Sequence, residues 1–397
     1  MPTTLADSKP KKKKICIITT VTMTVDYFIR DTFRAYHEDG YEVSLICNMD
    51  EEYIKALPPY VRAFPIQMER GVNLQGIGAM FKMLKIFKKE KFDIVQYTTP
   101  NASLYASIAS FLARVPVRLY CQWGLLFVSF EGVKRKIFKT IEKLTCSLST
   151  FVSPDSFGNL KICREQGFYS EEKSGVVYNG SACGVNLNRF DNKKKAEYRK
   201  AIREQYGFND DDVVMGFVGR LMKDKGFDEM MGAFKLLYEK YPNLKLFFVG
   251  YEEKSDREDK EMLDLFYNCP QVVRTGGRVY DPERYMAAID IYVFPSYREG
   301  FGTVVIEAQA MEVPLVISDI PGPTDGVIRD ETAFVVPVKT VEPLAEKIEE
   351  LYLDKALRER MGKAGRKFVE EKFDAENLIN EIVKHRNSLL ERRGLLK

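Results

Sequence analysis

The stretch IYVFPSYREGFGTVVIEAQAM, residues 291–311, changes character halfway along its length. Its first part is a short β-branched and aromatic run that ends at Pro295 and leads into a loop containing two glycines. Its second part, TVVIEAQAM, has the composition of a buried helix. A strand that passes through a glycine loop into a helix is the repeating unit of an open parallel sheet, so this stretch predicts an α/β fold.

The same alternation continues on both sides of that stretch. Strands are predicted upstream by VVMGFVGR, LKLFFVG and VVRTGG, and downstream by VPLVISD, and a helical or turn segment follows each of them. Such alternation is typical of a parallel sheet covered by helices on both faces. We therefore expect a doubly wound, Rossmann-like domain over residues 191–375.

The first half of the chain repeats this architecture. ICIITTV predicts a strand, YFIRDTFRAYHEDGYEVSLIC a helix, a turn and a second strand, and FDIVQYT and VPVRLYCQW two more strands around a helix. These segments predict a second doubly wound domain over residues 15–190, with the boundary in the turn-rich region 179–212. The polar, lysine-ending segment 1–14 predicts a disordered basic tail. Residues 376–397 predict a final helix that packs back on the first domain.

The composition excludes several classes of protein. An apolar fraction of 45% and a charged fraction of 29% are typical of a soluble globular protein. The net charge of +3 gives no basic face for nucleic acid. The seven scattered cysteines favour a reducing compartment over a disulfide framework or a zinc site. The sequence contains no apolar run long enough for a membrane span or a signal peptide, so we expect a cytoplasmic protein.

Two cations follow the predicted strand GFVG. Arg220 ends that strand, and Lys225 lies in the loop before a helix that begins near Phe227. Ligands of open parallel sheets bind at the carboxyl ends of the strands, and cations beside a helix N-terminus suit a diphosphate. A solvated loop carrying ordinary basic residues explains these two residues equally well.

Two carboxylates belong to the opening stretch. Glu307 lies one turn inside an apolar helix, and because helical side chains lean toward the N-terminus, it should point at the glycine loop. There it could accept hydrogen bonds from neighbouring hydroxyls of a sugar or ribose, or it could form a buried ion pair with an arginine. Glu299, before the turn, would face another part of the ligand or would be exposed on the loop.

These residues carry a resemblance to a known family. The segments GFVGRLMKDKGFDEMMGAF and GRVYDPERYMAAIDIYVFPSYREGFGTVVIEAQAMEVPLVISDIPGPTDGV resemble the donor half of the retaining family 4 glycosyltransferases, which have the GT-B fold. That resemblance implies two Rossmann-like domains facing across a cleft. In the first half, FDIVQYTTPNASLYASIASFLARVPVRLY and NGSACGVNLNRF resemble members that act on undecaprenyl-linked sugars in surface polysaccharide assembly.

The resemblance also implies roles for individual residues. It implies that Arg220 and Lys225 bind the diphosphate of a nucleotide sugar, that Glu307 holds the ribose, and that Glu299 orients the donor sugar. The residues implied to contact the donor, besides those four, are Val279 near the base and Gly300, Phe301, Gly302 and Thr303 at phosphate or sugar. With the diphosphate charge met by these groups and the helix N-terminus, we expect no metal and no cofactor.

One position departs from the family pattern. Many relatives carry a histidine in the loop that corresponds to CQWGLLF, where this chain has Trp123, its only tryptophan. Trp123 could give an acceptor sugar a stacking face, or the change could mark lost activity. Gln96 and Tyr97 also stand where relatives often have histidine. The only histidines, His37 and His385, are expected to be ordinary surface residues.

Three functions fit this set of features. The first is a retaining, metal-independent glycosyltransferase that moves a hexose or N-acetylhexosamine from a nucleoside diphosphate sugar, with UDP expected, to a glycan or polyprenyl-linked sugar. The others are a GT-B nucleotide-sugar epimerase and a non-catalytic sugar-nucleotide-binding scaffold. Basic and apolar residues mix in IGAMFKMLKIFKKEKF and GLLFVSFEGVKRKIFKTIEKL, which favours peripheral contact with the cytoplasmic face of the inner membrane. Helices that simply pack on the sheet would show the same mixture.

Overall fold

The computed structural model describes residues 12–68, 74–252 and 259–396. Contacts divide the chain into two compact units. Of the described residues, the first unit contains those up to Pro154, Leu160–Tyr178 and those from Ile379 onward. The second unit contains Asp155–Asn159 and Asn179–Leu378. Each unit is built around its own six-stranded sheet, in which every pairing is parallel.

The first unit has the strand order β3-β2-β1-β4-β5-β6. Its strands are β1 Lys13–Val21, β2 Tyr41–Asn48, β3 Val61–Pro65, β4 Ile94–Tyr97, β5 Val117–Gln122 and β6 Phe151–Pro154. Its helices are α1 Thr22–Phe28, α2 Arg30–Glu38, α3 Glu51–Ala56, α4 Leu74–Glu90, α5 Pro100–Leu112, α6 Gly132–Leu148 and most of α7 Phe157–Glu165. Because helices cover both faces, β1 is apolar and fully buried at four consecutive positions, Ile15, Cys16, Ile17 and Ile18.

The second unit has the strand order β12-β11-β10-β7-β8-β9. Its strands are β7 Val213–Leu221, β8 Leu244–Glu252, β9 Val272–Arg274, β10 Ile291–Phe294, β11 Leu315–Ser318 and β12 Ala333–Val336. Its helices are α8 Lys195–Tyr206, α9 Phe227–Leu237, α10 Lys260–Asn268, α11 Pro282–Met286, α12 Thr303–Ala310, α13 Glu342–Leu353, α14 Lys355–Lys372 and the start of α15 Ala375–Glu391. The predicted strand, glycine loop and helix of residues 291–311 are therefore β10, the loop after it and α12.

Most of the last helix belongs to the first unit. Arg386 of α15 is buried, and its guanidinium donates to the Gln96 Oε1 atom at 2.9 and 3.1 Å. Asn387 Oδ1 accepts from the Tyr41 hydroxyl at 2.7 Å. These bonds hold α15 against the strands β2 and β4, as expected for a final helix that packs on the first domain.

One histidine differs from its prediction. His37 is exposed, as expected, and stacks on Tyr60 with ring centroids 4.2 Å apart. His385 is half-buried instead, and its ring lies 5.0 Å from the ring of Phe151. Burial, with Arg386 and Arg392 nearby, lowers the pKa of His385 to about 3, so this imidazole stays neutral. The prediction of a surface residue was wrong because α15 turns this face of the helix toward the sheet.

The element boundaries also differ from those expected at the two ends of the first unit. Of the predicted tail 1–14, residues 1–11 lie outside the described residues, and Lys13 and Lys14 already belong to β1. The contact boundary follows Tyr178, whereas the expected domain boundary was at 190/191. Val185 and Phe190 explain the difference, since both belong to the buried core of the second unit. None of the described helices is long and apolar enough to cross a membrane.

Candidate functional site

The site is built at the carboxyl edge of the second sheet, where β7 and β10 are neighbours. Arg220 lies near the end of β7, is half-buried, and pairs in register with Tyr251 of β8. The chain then makes a short 3-10 turn, Lys223–Lys225, before α9 begins at Phe227. Gly226 joins the turn to the helix with a left-handed φ of +75°, and a Cβ there would overlap the carbonyl oxygen of Pro295. This close approach brings the Lys225 loop against the segment that follows β10.

Lys225 and Glu299 form an ion pair in that contact. The Lys225 Nζ atom lies 2.6 Å from Glu299 Oε1, and the two side chains are only 18% and 14% exposed. The Ser296 hydroxyl donates to the same carboxylate oxygen at 2.8 Å. An exposed position for Glu299 on the loop is therefore wrong. Its carboxylate is oriented by two partners, and a paired Lys225 is not an ordinary solvated lysine.

The glycine loop ends at the first turn of α12. Gly302 has a φ of +79° and caps the helix that begins at Thr303. Phe301 is buried, and its ring lies 5.3 Å from that of Phe373. Among the described residues, no acceptor is recorded for the backbone amides of Gly300 and Phe301. These amides, with the free N–H groups of the helix start, are the groups that bind phosphate or sugar oxygens at helix N-termini.

Glu307 lies one turn into α12 and is half-buried. Within the described part of the chain, its carboxylate has no hydrogen bond or ion pair. The predicted alternative, an ion pair with an arginine, is absent there because the Arg189 guanidinium donates to Glu283 at 2.9 Å and to the Tyr280 carbonyl at 2.6 Å. Burial raises the pKa of Glu307 to about 7, with Arg189 opposing the shift and Glu283 adding to it. Half-buried carboxylates without partners are expensive in a fold, so Glu307 is suited to a ligand that donates hydrogen bonds.

Val279 belongs to the loop that follows β9, at the same edge of the sheet. It is half-buried and packs against the core of the second unit. All the residues that the sequence indicated for a donor therefore lie in one unit, in or beside three loops, those after β7, β9 and β10, or in the first turns of α12.

The sequence did not indicate a group of polar residues that lies beside Glu299. Asp155 is buried, and burial raises the pKa of its carboxyl to about 8, to which nearby Glu299 and Asp325 also contribute. Asn159, also buried, donates from Nδ2 to the carbonyls of Gly300, at 3.0 Å, and Glu299, at 3.4 Å. The available signal was the polar segment DSFGN, residues 155–159, which directly follows β6, because such positions border ligand sites in parallel sheets.

Trp123 belongs to the first unit and not to this group. It directly follows β5, is half-buried, and its ring lies 5.7 Å from that of Phe28 at the end of α1. Within the stretches that the structure describes, no three His, Cys, Asp or Glu side chains are placed to hold a metal ion.

The fold places the chain in a class of proteins. The Anabaena protein Alr3699/HepE, solved in complex with UDP and glucose, superposes with a TM-score of 0.76 over 95% of this chain and 100% of its own, at 20% identity. This likeness shows that the two parallel α/β units form the GT-B fold of glycosyltransferases.

The sequence comparisons place it in a family. Residues 14–156 match the glycosyl transferase 4-like model, and residues 198–368 match the model of glycosyl transferases group 1. The capsular polysaccharide biosynthesis glycosyltransferase CapM of Staphylococcus aureus is 32% identical over 96% of this chain and 98% of its own. An Escherichia coli UDP-Gal:alpha-D-GlcNAc-diphosphoundecaprenol alpha-1,3-galactosyltransferase is 25% identical over 82% of this chain and 84% of its own. The chain belongs to the group 1, or family 4, glycosyltransferases, and is a nucleotide-sugar-dependent enzyme of that family.

Proposed function

We propose that this enzyme transfers a hexose or N-acetylhexosamine from a UDP-sugar to a polyprenyl-linked sugar, with retention at the anomeric carbon, during polysaccharide assembly. The galactosyltransferase relative named above uses a UDP-sugar and a diphosphoundecaprenol-linked acceptor, and CapM acts in capsule synthesis. The observation that carries the proposal is Glu307, a half-buried carboxylate with no partner among the described residues, on the same sheet edge as the Lys225–Glu299 pair.

Each group then has a role with the donor. Glu307 accepts hydrogen bonds from the two ribose hydroxyls, and Val279 lies beside the base. Arg220 and Lys225 neutralise the diphosphate, together with the amides of Gly300 and Phe301 and the helix start at Gly302 and Thr303. Fixed donors that face a growing negative charge lower the barrier most when water is excluded. We place no metal in this arrangement.

The reaction breaks the bond between the anomeric carbon and the UDP oxygen. The acceptor hydroxyl attacks from the same face, a new carbon–oxygen bond forms, and the acceptor's proton passes to the departing phosphate oxygen. Negative charge grows on UDP during this step, which Arg220 and Lys225 stabilise. Glu299 orients the donor sugar and is not a covalent nucleophile.

The ion pair adds a step that the sequence did not predict. Because Lys225 lies 2.6 Å from Glu299, a diphosphate must compete with that carboxylate for the ammonium group. Donor binding therefore moves Lys225 at least partly from Glu299 to phosphate, and Glu299 is then released for the sugar hydroxyls. The Ser296 hydroxyl keeps its hydrogen bond to the Glu299 carboxylate while this exchange occurs.

The acceptor is assigned to the first unit. We propose that Trp123 offers a face for the acceptor sugar, since aromatic rings beside a strand end are suited to stacking. Its ring is half-buried and supported by Phe28, which fixes its orientation.

The outer face of α6 is suited to an anionic lipid surface. Val133, Ile137 and Leu144 are 73%, 52% and 42% exposed, and helical periodicity places them within about 40° of one another. The basic residues on this helix are Lys134, Arg135, Lys136, Lys139 and Lys143, and its Glu142 is buried. An exposed apolar stripe flanked by lysines is typical of interfacial helices. We propose that this face contacts the membrane that contains the lipid-linked acceptor.

Calorimetric titration with UDP, GDP and ADP tests the donor assignment. We expect UDP to bind and the other two nucleotides to bind more weakly. Incubation with UDP-sugars and a polyprenyl diphosphate sugar should then release UDP and extend the acceptor. UDP binding without any donor consumption would contradict the transferase and support the scaffold, whereas interconversion of the UDP-sugar without an acceptor would support the epimerase.

Vesicle sedimentation tests the membrane assignment separately. The protein should sediment with vesicles that contain anionic phospholipid, and Val133→Ser/Ile137→Ser should reduce that binding about tenfold, because two exposed apolar side chains that would enter the lipid are lost. Phe111→Ser, at an exposed apolar residue of the same unit outside α6, is the control. Equal binding of all three proteins would contradict the role given to α6.

A further inference from the structure

Asn159 is a buried residue outside the set proposed to contact the donor. Its side chain forms hydrogen bonds with the loop that contains Glu299 and Gly300. Asn159 lies in the first turn of α7, and its backbone N–H donates to the Ser156 hydroxyl at 3.2 Å. Its carboxamide nitrogen donates to the carbonyl oxygens of two consecutive residues, Gly300 at 3.0 Å and Glu299 at 3.4 Å. All of these residues belong to the second unit, although α7 continues into the first.

These two hydrogen bonds also fix the direction in which the next two backbone N–H groups point. The chain has no cis peptide among its described residues, and in a trans peptide the carbonyl and the following N–H point in opposite directions. Carbonyls of Glu299 and Gly300 that face Asn159 therefore turn the amides of Gly300 and Phe301 away from it. Those are the two amides for which the described residues provide no acceptor.

The same segment is fastened to a second loop. The Gly158 amide donates to Asp325 Oδ2 at 3.0 Å, in the 3-10 turn Pro323–Gly326. The Glu299 carboxylate is held independently, by Ser296 and Lys225. Asn159 thus acts on the backbone of the loop, and the orientation of the carboxylate has other causes.

We propose that Asn159 is a positioning residue, which holds the peptides after Glu299 and Gly300 in the orientation that presents two amide donors to the diphosphate and sugar. This inference rests on the proposed function, because it assigns those amides to the UDP-sugar. Asn159 itself does not touch the donor. Without its carboxamide the two peptides are free to rotate, and the donors are lost as a pair.

The test compares Asn159→Ala and Asn159→Asp with wild type by calorimetric titration with UDP. At pH 8 both variants should bind UDP about tenfold more weakly, the effect of one or two lost hydrogen bonds. Gln271→Ala is the matched control, because Gln271 also donates from its carboxamide to backbone carbonyls in this unit, at 2.9 Å to Leu244. That variant should keep the wild-type affinity, and all four proteins should be compared for melting temperature.

Hydrogen exchange reports the loop directly. UDP should slow amide exchange in a peptide that covers residues 298–304 of wild type and of Gln271→Ala. It should not slow exchange there in Asn159→Ala. A loss of affinity through general destabilisation would raise exchange across the whole unit, with or without UDP, and would contradict a local role.

Asn159→Asp adds a second readout, the pH dependence of UDP affinity, which a purely steric role would not alter. An aspartate at this position has the size of asparagine but no donor while it is ionised, and it gains an O–H donor on protonation. Its UDP affinity relative to wild type should therefore recover as the pH falls from 8 to 5.5, whereas that of Asn159→Ala should not. Asp155, Glu299 and Asp325 also lie near this segment, and Lys225 is the nearby cation, but they are present in every variant.

The outcomes separate this inference from the proposed function. If wild type fails to bind UDP, both are overturned. If wild type binds and Asn159→Ala binds within twofold with the same exchange protection, only the role of Asn159 is overturned. If both variants bind weakly at pH 8 but Asn159→Asp shows no recovery at pH 5.5, a restored hydrogen-bond donor does not restore the loop, and the positioning role is likewise wrong.

Discussion

The carboxyl edges of the two sheets have the same construction but different side chains. Both edges belong to six parallel strands. In the second unit the strand end and the loops there contain the charged residues Arg220, Lys225 and Glu299. In the first unit the corresponding positions, near the end of β1 and just after β4, are threonines, and the hydroxyls of Thr20 and Thr99 bond each other at 2.7 Å. Because the backbone architecture is shared, the residue types in the loops decide what each edge binds.

The difference in charge between the two edges suits them to different ligands. A charged edge suits a diphosphate, whereas hydroxyls and an aromatic ring suit a neutral sugar. In the first unit the hydroxyl oxygens of Thr19 and Thr98 are buried and have no hydrogen-bond partner among the described residues. We therefore expect substitutions at the charged edge to affect the nucleotide, and substitutions at the neutral edge to affect the acceptor.

The largest effect is expected when both cations of the charged edge are removed. Arg220→Ala/Lys225→Ala should weaken UDP binding by about a thousandfold, since each charge-assisted hydrogen bond contributes about 1.5–3 kcal/mol. Calorimetric titration measures this change. Lys240→Ala/Lys245→Ala removes two other lysines of the same unit and is the control. If the two double variants bind UDP equally well, the charged edge is not the donor site.

Substitution of Glu299 should lower turnover without lowering UDP affinity to the same extent. Glu299→Gln should reduce turnover about a hundredfold, because a carboxylate that orients the sugar is lost. Its UDP affinity should stay within about threefold of wild type or improve, since Lys225 loses its protein partner and is free for phosphate. Steady-state rates and UDP titration give the two values. Glu261→Gln, which breaks the surface pair with Lys235, is the control. A strong loss of UDP affinity with normal turnover would reverse the role given to Glu299.

Glu307 should make UDP binding depend on pH. Its pKa of about 7 means that the free enzyme loses the ionised acceptor as the pH falls, and only the ionised form accepts both ribose hydroxyls. UDP affinity should therefore fall about tenfold between pH 8 and pH 6 in wild type. Glu307→Gln should bind weakly at both pH values. Ionisation of the UDP phosphate affects both proteins alike, so the difference between their pH profiles reports Glu307. Identical pH profiles would contradict the ribose assignment.

The neutral edge should show the smallest change. Trp123→Ala should raise the acceptor KM about tenfold or less, the loss of one stacking contact, and leave UDP affinity unchanged. Because Trp123 is the only tryptophan, its fluorescence should respond to the polyprenyl-linked sugar and not to UDP. Phe111→Ala, at an exposed aromatic of the same unit, is the control for the kinetics. A fluorescence change with UDP alone would contradict the assignment of the two edges to different ligands.

The sequence predicted the parts of the fold that depend on local pattern. The strand of residues 291–294 and the helix from Thr303 follow directly from composition and from the glycine loop between them. The clustering of Arg220, Lys225, Glu299 and Glu307 also follows, because parallel strands bring their carboxyl ends to one edge. The family resemblance then supplied the expected roles.

Contacts between distant residues were not predicted. Lys225 and Glu299 are 74 positions apart, and nothing in either loop indicates that a close approach at Gly226 makes them a pair. Asn159 and Gly300 are 141 positions apart. The surface prediction for His385 failed for the same reason, since a helix pattern does not show which sheet a terminal helix meets.

The amino-acid sequence by itself determined two parallel α/β domains, the loops that end their strands, and the charged residues that we propose for a nucleotide-sugar site, because these depend on periodicity, turn residues and strand direction. Tertiary structure alone decided which charges are paired and that the Glu307 carboxylate has no partner within the described ranges. It also placed Asp155 and Asn159 against a loop far along the chain. Those properties depend on distances of a few ångströms between segments remote in sequence, and packing sets such distances only when the whole unit has folded.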